Sequence, residues 1–325
     1  MSTASARVGA RRTRGSTVQG SSATRGLFAR MRRAWQLYLL LIPALVWLAV
    51  FKYWPMYGVQ IAFRDYNPAD GFSGSPFVGW KHFIRFFNSP QFERILTNTV
   101  LLAVENLVII FPIPIILALL VYNVRNGKLR EFVRTVLYTP TFISTVVVVG
   151  MIFILVSPRG GLANQLVTAF GGDPILFMGD PEWFRPLFII STVWQEAGFQ
   201  MVIYLAALSA IDPALHDAAK VDGANGFKRI WHIDLPGIAP TIIVMLMLAI
   251  GNLLNVSFEK ALLMQTPLNI SSSQVIQTYV YQQGLQNAQF SYSAAIGLFN
   301  SVVNLALLIV FNVLVRRGRG KWMGA

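Results

Sequence analysis

The sequence contains no cysteine, and only 13% of its 325 residues are charged. The absence of cysteine excludes disulfides, zinc–thiolate sites and thiol catalysis. The charged fraction is about half of that in soluble globular proteins, whereas 54% of the residues are apolar and the mean hydropathy is +0.54. A soluble domain of this length cannot hide so much apolar surface. The composition therefore predicts an integral membrane protein.

Motifs for nucleotide binding and hydrolysis are also missing. The nearest match to a phosphate-binding loop, Gly127-Lys128-Leu129, lacks both the preceding glycine and the Ser/Thr that the loop needs. The sequence has no HExxH or GxSxG motif, and its three histidines are far apart along the chain: His82, His216 and His232. We therefore expect a chain that is not an enzyme, binds no ATP itself and holds no metal or other cofactor.

Six apolar segments are long enough to cross about 30 Å of hydrocarbon, which takes roughly 20 helical residues. They lie at 36–56, 96–122, 134–156, 187–210, 237–257 and 292–315. The predicted fold is an all-α integral membrane bundle of six transmembrane helices. The membrane domain covers 35–315, between a disordered basic arm at 1–34 and a basic tail at 316–325.

Lysine and arginine are distributed unevenly about these segments. Nineteen fall in the two termini and the loops on their side, and eight fall in the longer loops on the other side. The positive-inside rule therefore predicts a multi-pass membrane protein with both termini in the cytoplasm. Because the positive residues cluster at the edges of apolar runs, we expect membrane lipid as a partner and no nucleic acid.

The loop at 211–236, here called the coupling loop, separates the fourth and fifth segments. Asp212-Pro213 is typical of a helix start, with a capping acid followed by proline at the first helical position. Asp222-Gly223 indicates a break where a positive φ is inexpensive. A second short helix is predicted to carry Phe227, and Leu235-Pro236 to start the next span. The sequence thus predicts a compact helical knob on the cytoplasmic face.

The coupling loop resembles the cytoplasmic motif of binding-protein-dependent ABC importer permeases of the MetI-like type. The motif begins with Asp217-Ala218-Ala219. Three residues separate it from Gly223, and nine more separate Gly223 from Ile233-Asp234-Leu235-Pro236. Asp217 in place of glutamate is the one departure from the motif. Over residues 35–325 the chain resembles the carbohydrate branch of this family. The run QVIQTYVYQQGLQNAQFSY resembles the subgroup that imports oligosaccharides and polysaccharides, alginate among them.

The resemblance implies partners and roles. The chain would pair with a second homologous permease, with two ATPase subunits that hold ATP and Mg, and with a soluble solute-binding protein that delivers a saccharide. The residues that would contact the ATPase are Asp217, Ala218, Ala219, Asp222, Gly223, Phe227, Ile233, Leu235 and Pro236.

Polar residues inside the apolar segments are costly in lipid, so each needs a role. Asn252 and Asn255 are three apart and are expected on one helical face, as are Asn300 and Asn304. They either line a sugar pathway or join neighbouring helices through amide hydrogen bonds. Glu105 is expected to pair with a neighbouring helix. The resemblance favours Trp194, Asn252 and Asn255 as residues that bind the saccharide. The full set of candidate saccharide-binding residues is Trp194, Phe199, Gln200, Asn252, Asn255 and Asn300.

An acidic saccharide would need cations near the entrance of the pathway. The outer loops supply Arg64, Lys81, Arg85 and Lys260. The sequence fits two roles for these side chains equally well: cations at the entrance of the pathway, or solvated surface charges.

Two other classes remain as alternatives at this stage. An ATP-independent secondary transporter would show inverted repeats or ion-coordinating carboxylates in broken helices. A membrane-embedded glycosyltransferase would need a catalytic carboxylate or a metal-binding pair of aspartates in a loop.

The predicted topology can be tested by cysteine labelling, since the chain has no native cysteine. In intact spheroplasts, a membrane-impermeant maleimide should label Asp173→Cys in the outer loop and leave Ala224→Cys in the coupling loop unlabelled until the membrane is opened. Labelling of Ala224→Cys from outside would contradict the predicted orientation.

Overall fold

The structure is a computed structural model that describes residues 35–255 and 257–322. The predicted basic arm at 1–34 and the last residues of the tail lie outside this range. The chain divides into two compact units, one ending at Gly58 and one beginning at Val59. In the first unit, the helix Trp35–Leu48 buries no side chain.

Helices make up most of the described chain, and no strand occurs within it beyond an isolated bridge between Arg64 and Phe77. In order, they are α1 Trp35–Phe63, α2 Gly71–Gly74, α3 Lys81–Phe87, α4 Phe92–Tyr122, α5 Gly127–Phe142, α6 Thr145–Leu155, α7 Leu162–Ala169, α8 Pro181–Ser209, α9 Pro213–Val221, α10 Gly226–Gly251, α11 Phe258–Met264, α12 Ile270–Ser273, α13 Ile276–Tyr281 and α14 Phe290–Trp322. The predicted all-helical membrane fold is confirmed.

In the part of the chain that the structure describes, four helices are each long and apolar enough to cross a membrane, namely α1, α4, α10 and α14. The pairs α5–α6 and α8–α9 also qualify, but they bend by 98° and 72°. Counting each bent pair as one span gives six, the number that the hydropathy predicts.

The third span differs from the prediction of one helix over 134–156. The chain turns sharply between Phe142 and Thr145, after a 3₁₀ turn that contains Pro140. Proline removes a backbone donor and favours a break in the helix. The new helix α6 is capped by Ser144, whose Oγ accepts a hydrogen bond from the Val147 amide at 3.4 Å. The α5 half is amphipathic, with basic and acidic side chains on one face, so it is unsuited to the hydrocarbon.

Helix α8 holds this bend in place. The Thr141 hydroxyl donates to the Gln195 carbonyl at 2.8 Å, and Gln195 Nε2 donates to the Ile143 carbonyl at 3.0 Å. These bonds satisfy polar groups that the broken helix leaves unpaired, as a span in lipid requires. Gly198 lies so close to the Leu137 carbonyl that a Cβ there would overlap it. Small residues allow this close approach between membrane helices.

The largest apolar contacts also centre on α8. One cluster joins α4, α8 and α10, and its buried members are Ile115, Ala118, Val121, Met201, Tyr204, Leu205, Leu208 and Ile238. A second cluster joins α4, α6, α8 and α11. The helix that carries Trp194 and Phe199 therefore takes part in both of these clusters.

Gly198→Ala should destabilise the protein because its methyl group meets the Leu137 backbone, which cannot move aside without opening the bend. We expect a loss of about 1–3 kcal/mol, as for other overpacked sites. Gly150→Ala in α6 is the control, since a Cβ there meets no atom within 4 Å. Thermal unfolding of both variants in detergent measures the difference, and equal melting temperatures would contradict the close packing.

Candidate functional site

The first half of the coupling loop folds as predicted. The Asp212 carboxylate accepts a hydrogen bond from the Ala214 amide at 2.9 Å, and Pro213 is the first residue of α9. Gly223 ends the helix with φ +73°. Its amide donates to the Lys220 carbonyl at 3.1 Å, and the Ala224 amide donates to the Ala219 carbonyl at 2.8 Å. This is a Schellman motif, which needs a left-handed residue after the helix.

The glycine is required for its backbone conformation and not for space. A Cβ at Gly223 would meet no atom within 4 Å. An L-residue in this left-handed region costs roughly 1–2 kcal/mol, less for Asn and Asp. The glycine of the motif therefore sets the angle at which α9 leaves the bundle.

The second half of the coupling loop contains the predicted short helix at Gly226–Arg229 and the predicted helix start at Leu235, but the two are not separated by a loop. Helix α10 starts at Gly226, where the Asn225 side chain accepts from the Lys228 amide at 2.9 Å, and it continues to Gly251. A π turn at Ile230–Asp234 leads into the span. Such a wide turn accommodates Pro236, which cannot donate to the preceding turn. The second half of the knob and the fifth span are thus one continuous helix, and α9 is joined to it by the turn at Gly223.

The coupling loop exposes apolar side chains at its surface. Val221 and Phe227 are 88% and 72% exposed, and the rings of Phe227 and Trp231 stack with centroids 6.5 Å apart. Lys220 donates to Asp217 at 2.8 Å, and this bond lowers the pKa of the Asp217 carboxyl. Among the candidate coupling residues, Ala219, Ile233 and Leu235 are half-buried, and the exposed ones are Asp217, Ala218, Asp222, Gly223, Phe227 and Pro236.

The asparagine pair of the fifth span does not share a helical face, so that prediction is wrong. Helix α10 ends at Gly251, and Asn252 follows with φ −117° and ψ 17°. The Asn255 amide donates to the Asn252 carbonyl at 2.9 Å, which closes a turn. The polar residues therefore mark a break in the span rather than one face of it.

Helix α14 supports this break. The Asn304 Oδ1 accepts from the Leu254 amide at 3.1 Å, and Asn300 Nδ2 donates to Asn255 Oδ1 at 3.0 Å. Gln277 Nε2 donates to the same Asn255 oxygen at 2.6 Å. Asn300 and Asn304 are buried on one face of α14, as predicted, and serve as contacts between helices. Asn255 is exposed, although its Oδ1 accepts the hydrogen bonds from both Asn300 and Gln277.

Aromatic rings gather where α8 meets the bend of the third span. Phe199 stacks on Tyr138 with centroids 6.0 Å apart, and Tyr138 meets Phe142 edge-on at 4.9 Å. Phe142 and Phe199 are 72% and 52% exposed. Trp194 is also exposed, and Gln200 is half-buried. The sequence analysis missed Tyr138 and Phe142, although their spacing of four around Pro140 could have indicated them.

The comparisons with known proteins can now be set beside this geometry. Residues 110–320 match the family described as binding-protein-dependent transport system inner membrane component. The chain belongs to this family. It is 46% identical over 281 residues to the polygalacturonan/rhamnogalacturonan transport system permease protein YteP of Bacillus subtilis (strain 168), covering 86% of this chain and 88% of that protein.

Two further relatives of this permease are informative. The arabinooligosaccharides transport system permease protein AraP of Bacillus subtilis (strain 168) is 30% identical, covering 84% of this chain and 86% of that protein. A solved structure of a bacterial ABC transporter that imports the acidic polysaccharide alginate has a chain that is 40% identical with a TM-score of 0.83. That likeness covers 90% of the permease and 99% of the other chain. The resemblance inferred from the coupling loop is confirmed at the level of the family.

Within the permease, the cations considered for an acidic saccharide are engaged elsewhere. Arg64 Nη1 donates to the Ser75 carbonyl at 2.8 Å, and Lys81 pairs with Asp65 at 2.6 Å, which lowers the pKa of Asp65. The Arg85 guanidinium lies 4.3 Å from the centre of the Tyr292 ring. These three side chains hold the outer loops together.

The fourth cation is not a surface group, contrary to the sequence-based expectation. Lys260 is 1% exposed, and its Nζ donates to Thr192 Oγ1 at 3.1 Å. Glu105 pairs with Arg185 of α8 at 3.5 Å, which confirms its predicted contact with a neighbouring helix. Among the described residues, no group of three His, Asp or Glu is placed to hold a metal ion.

Proposed function

We propose that this permease is the membrane subunit of an ATP-driven importer that carries an oligosaccharide or polysaccharide from a solute-binding protein across the bacterial inner membrane. The coupling loop carries this proposal. A capped helix, a left-handed turn and an exposed apolar surface form a compact knob whose second half, from Gly226, continues into a membrane span. Such a knob suits insertion into a groove of a partner that moves.

The partners follow from the family. A second homologous permease completes the pathway, and two ATPase subunits hold ATP and Mg, because this chain carries no phosphate-binding loop. ATP binding draws the ATPase subunits together, and α9 moves with them. Because the knob continues into α10, its displacement turns the fifth span and opens the pathway alternately to each side. In this account both termini and the coupling loop are cytoplasmic, and the basic arm lies against anionic headgroups.

An acidic saccharide is the cargo that the relatives favour. The names of YteP and of the alginate importer refer to polygalacturonan, rhamnogalacturonan and alginate. Neutral contacts in the permease would recognise the sugar rings and hydroxyls. Aromatic rings pack against the apolar faces of sugars, and amides both donate to and accept from hydroxyls. The proposed contact residues are Trp194, Phe199, Gln200, Asn252, Asn255 and Asn300 from the sequence, with Tyr138 and Phe142 added by the structure.

The roles of the aspartates disfavour the alternative of a loop-based glycosyltransferase. Asp212 caps α9 and Asp217 pairs with Lys220. Asp222 ends α9, and Asp234 is fully buried. These four aspartates thus have positions that suit helix caps, an ion pair and the protein interior rather than a catalytic site. The alternative of an ATP-independent secondary transporter gains no support from the likeness to ABC permeases.

Docking of the ATPase can be tested at Gly223. Gly223→Asp should insert normally, because Asp tolerates a left-handed backbone. It should lose both saccharide uptake and co-purification of the ATPase, because the exposed position then carries a charged side chain where the knob enters the groove of its partner. Gly171→Asp is the matched control, since Gly171 also has a positive φ of 83° with no atom within 4 Å of its Cβ, but lies in an outer loop. Full uptake by Gly223→Asp would refute the docking role.

Sugar stacking can be tested at Phe142. Phe142→Ala should raise the KM for saccharide uptake roughly two- to tenfold, which corresponds to an aromatic contact of about 0.5–1.5 kcal/mol. ATPase co-purification should stay unchanged. The control Phe132→Ala removes an exposed ring from the same helix. Equal KM values for the two variants would contradict the assignment of the aromatic cluster to the pathway.

A further inference from the structure

A buried carboxylate lies beneath the coupling loop. Asp234 is 0% exposed, at the end of the π turn that leads into α10. Its Oδ1 is 3.4 Å from Nε2 of His216, a residue of α9. The His216 ring in turn lies 6.2 Å from the ring of Tyr122, at the end of α4. Side chains of three helices therefore meet around the His216 ring.

In the described part of the chain, the contact between His216 and Asp234 involves polar groups that are buried without hydrogen bonds. A buried carboxylate is costly unless it is paired and hydrogen-bonded. Within the described residues, neither Asp234 oxygen accepts a hydrogen bond, and Nε2 of His216 is likewise buried without one. At 3.4 Å the two atoms are close enough for an ion pair but are not arranged as a hydrogen bond. A small movement of α9 toward α10 would therefore complete the bond and be favoured by both side chains.

The contact also bridges a hinge. The covalent connection between α9 and α10 is the turn from Asp222 to Asn225, whose left-handed glycine is exposed. A turn of this kind absorbs rotation unless a second contact spans it. His216 and Asp234 provide that second contact, because they lie on opposite sides of the turn and are 18 positions apart along the chain.

We propose that His216 and Asp234 form a positioning pair through which displacement of α9 is passed to the fifth span. This inference rests on the proposed function, in which α9 docks on the ATPase. The side chains of His216 and Asp234 are 14% and 1% exposed, whereas those of the Asp217–Lys220 pair are exposed to solvent. The His216–Asp234 pair should therefore govern transmission of movement and leave docking intact.

The test uses the importer assembled from this permease, its partner permease and the ATPase subunits, reconstituted in proteoliposomes. Alginate and polygalacturonan oligosaccharides are the probes, each delivered by the solute-binding protein. Asp234→Asn and His216→Ala should keep the ATPase bound and hydrolysing ATP, while saccharide uptake per ATP falls about fivefold or more, the usual scale of coupling between sites. The exchange of both residues, His216→Asp with Asp234→His, should restore part of the lost uptake.

His232→Ala is the control, because it removes a histidine from the same loop whose Nδ1 lies 2.9 Å from the Lys228 carbonyl of its own helix. Uptake per ATP should stay at the wild-type value in this variant. Unchanged uptake per ATP in both Asp234→Asn and His216→Ala would overturn the proposal. Loss of the ATPase from both variants would also overturn it, by showing that the pair only shapes the docking surface. Failure of the wild-type permease to retain any ATPase would instead refute the proposed function.

Discussion

The left-handed backbone at Gly223 is the constraint on which the rest of the site depends. It ends α9 and turns the chain back so that α10 can begin three residues later, at Gly226. Without it, α9 would continue or splay, and the exposed rings of Phe227 and Trp231 would no longer share one surface with α9. The turn thus converts an ordinary loop into a knob, and the unbroken helix α10 places that knob at the end of a membrane span.

Breaks in the helices are the second organising feature. Backbone groups at membrane depth must find partners within the protein, since lipid offers none. The permease meets this requirement with amide side chains from neighbouring helices. Gln195 holds the bend between α5 and α6, and Asn304 holds the end of α10. Exposed aromatic and amide groups lie at these same breaks, so the elements that interrupt the spans are also the ones available to a sugar.

The sequence predicted well what local chemistry decides. The cap at Asp212, the turn at Gly223 and the six apolar segments each follow from residues close together in the chain, and the coupling motif identified the family. Contacts between distant residues were not predictable. The bend near Ile143 depends on Gln195, 52 positions away, and the break at Asn252–Asn255 depends on α14. Lys260, expected at the surface, is buried and donates to Thr192 of α8, 68 positions away along the chain.

The central claim is that the coupling loop and the fifth span move as one body when the ATPase subunits close. Spin labels at Leu215→Cys and Val244→Cys report the distance from α9 to α10, and labels at Ile190→Cys and Val244→Cys report the distance from α8 to α10. Double electron–electron resonance on the assembled importer, with and without ATP, measures both. The account predicts that the first distance stays constant while the second changes. A change in the first distance with the second unchanged would contradict it.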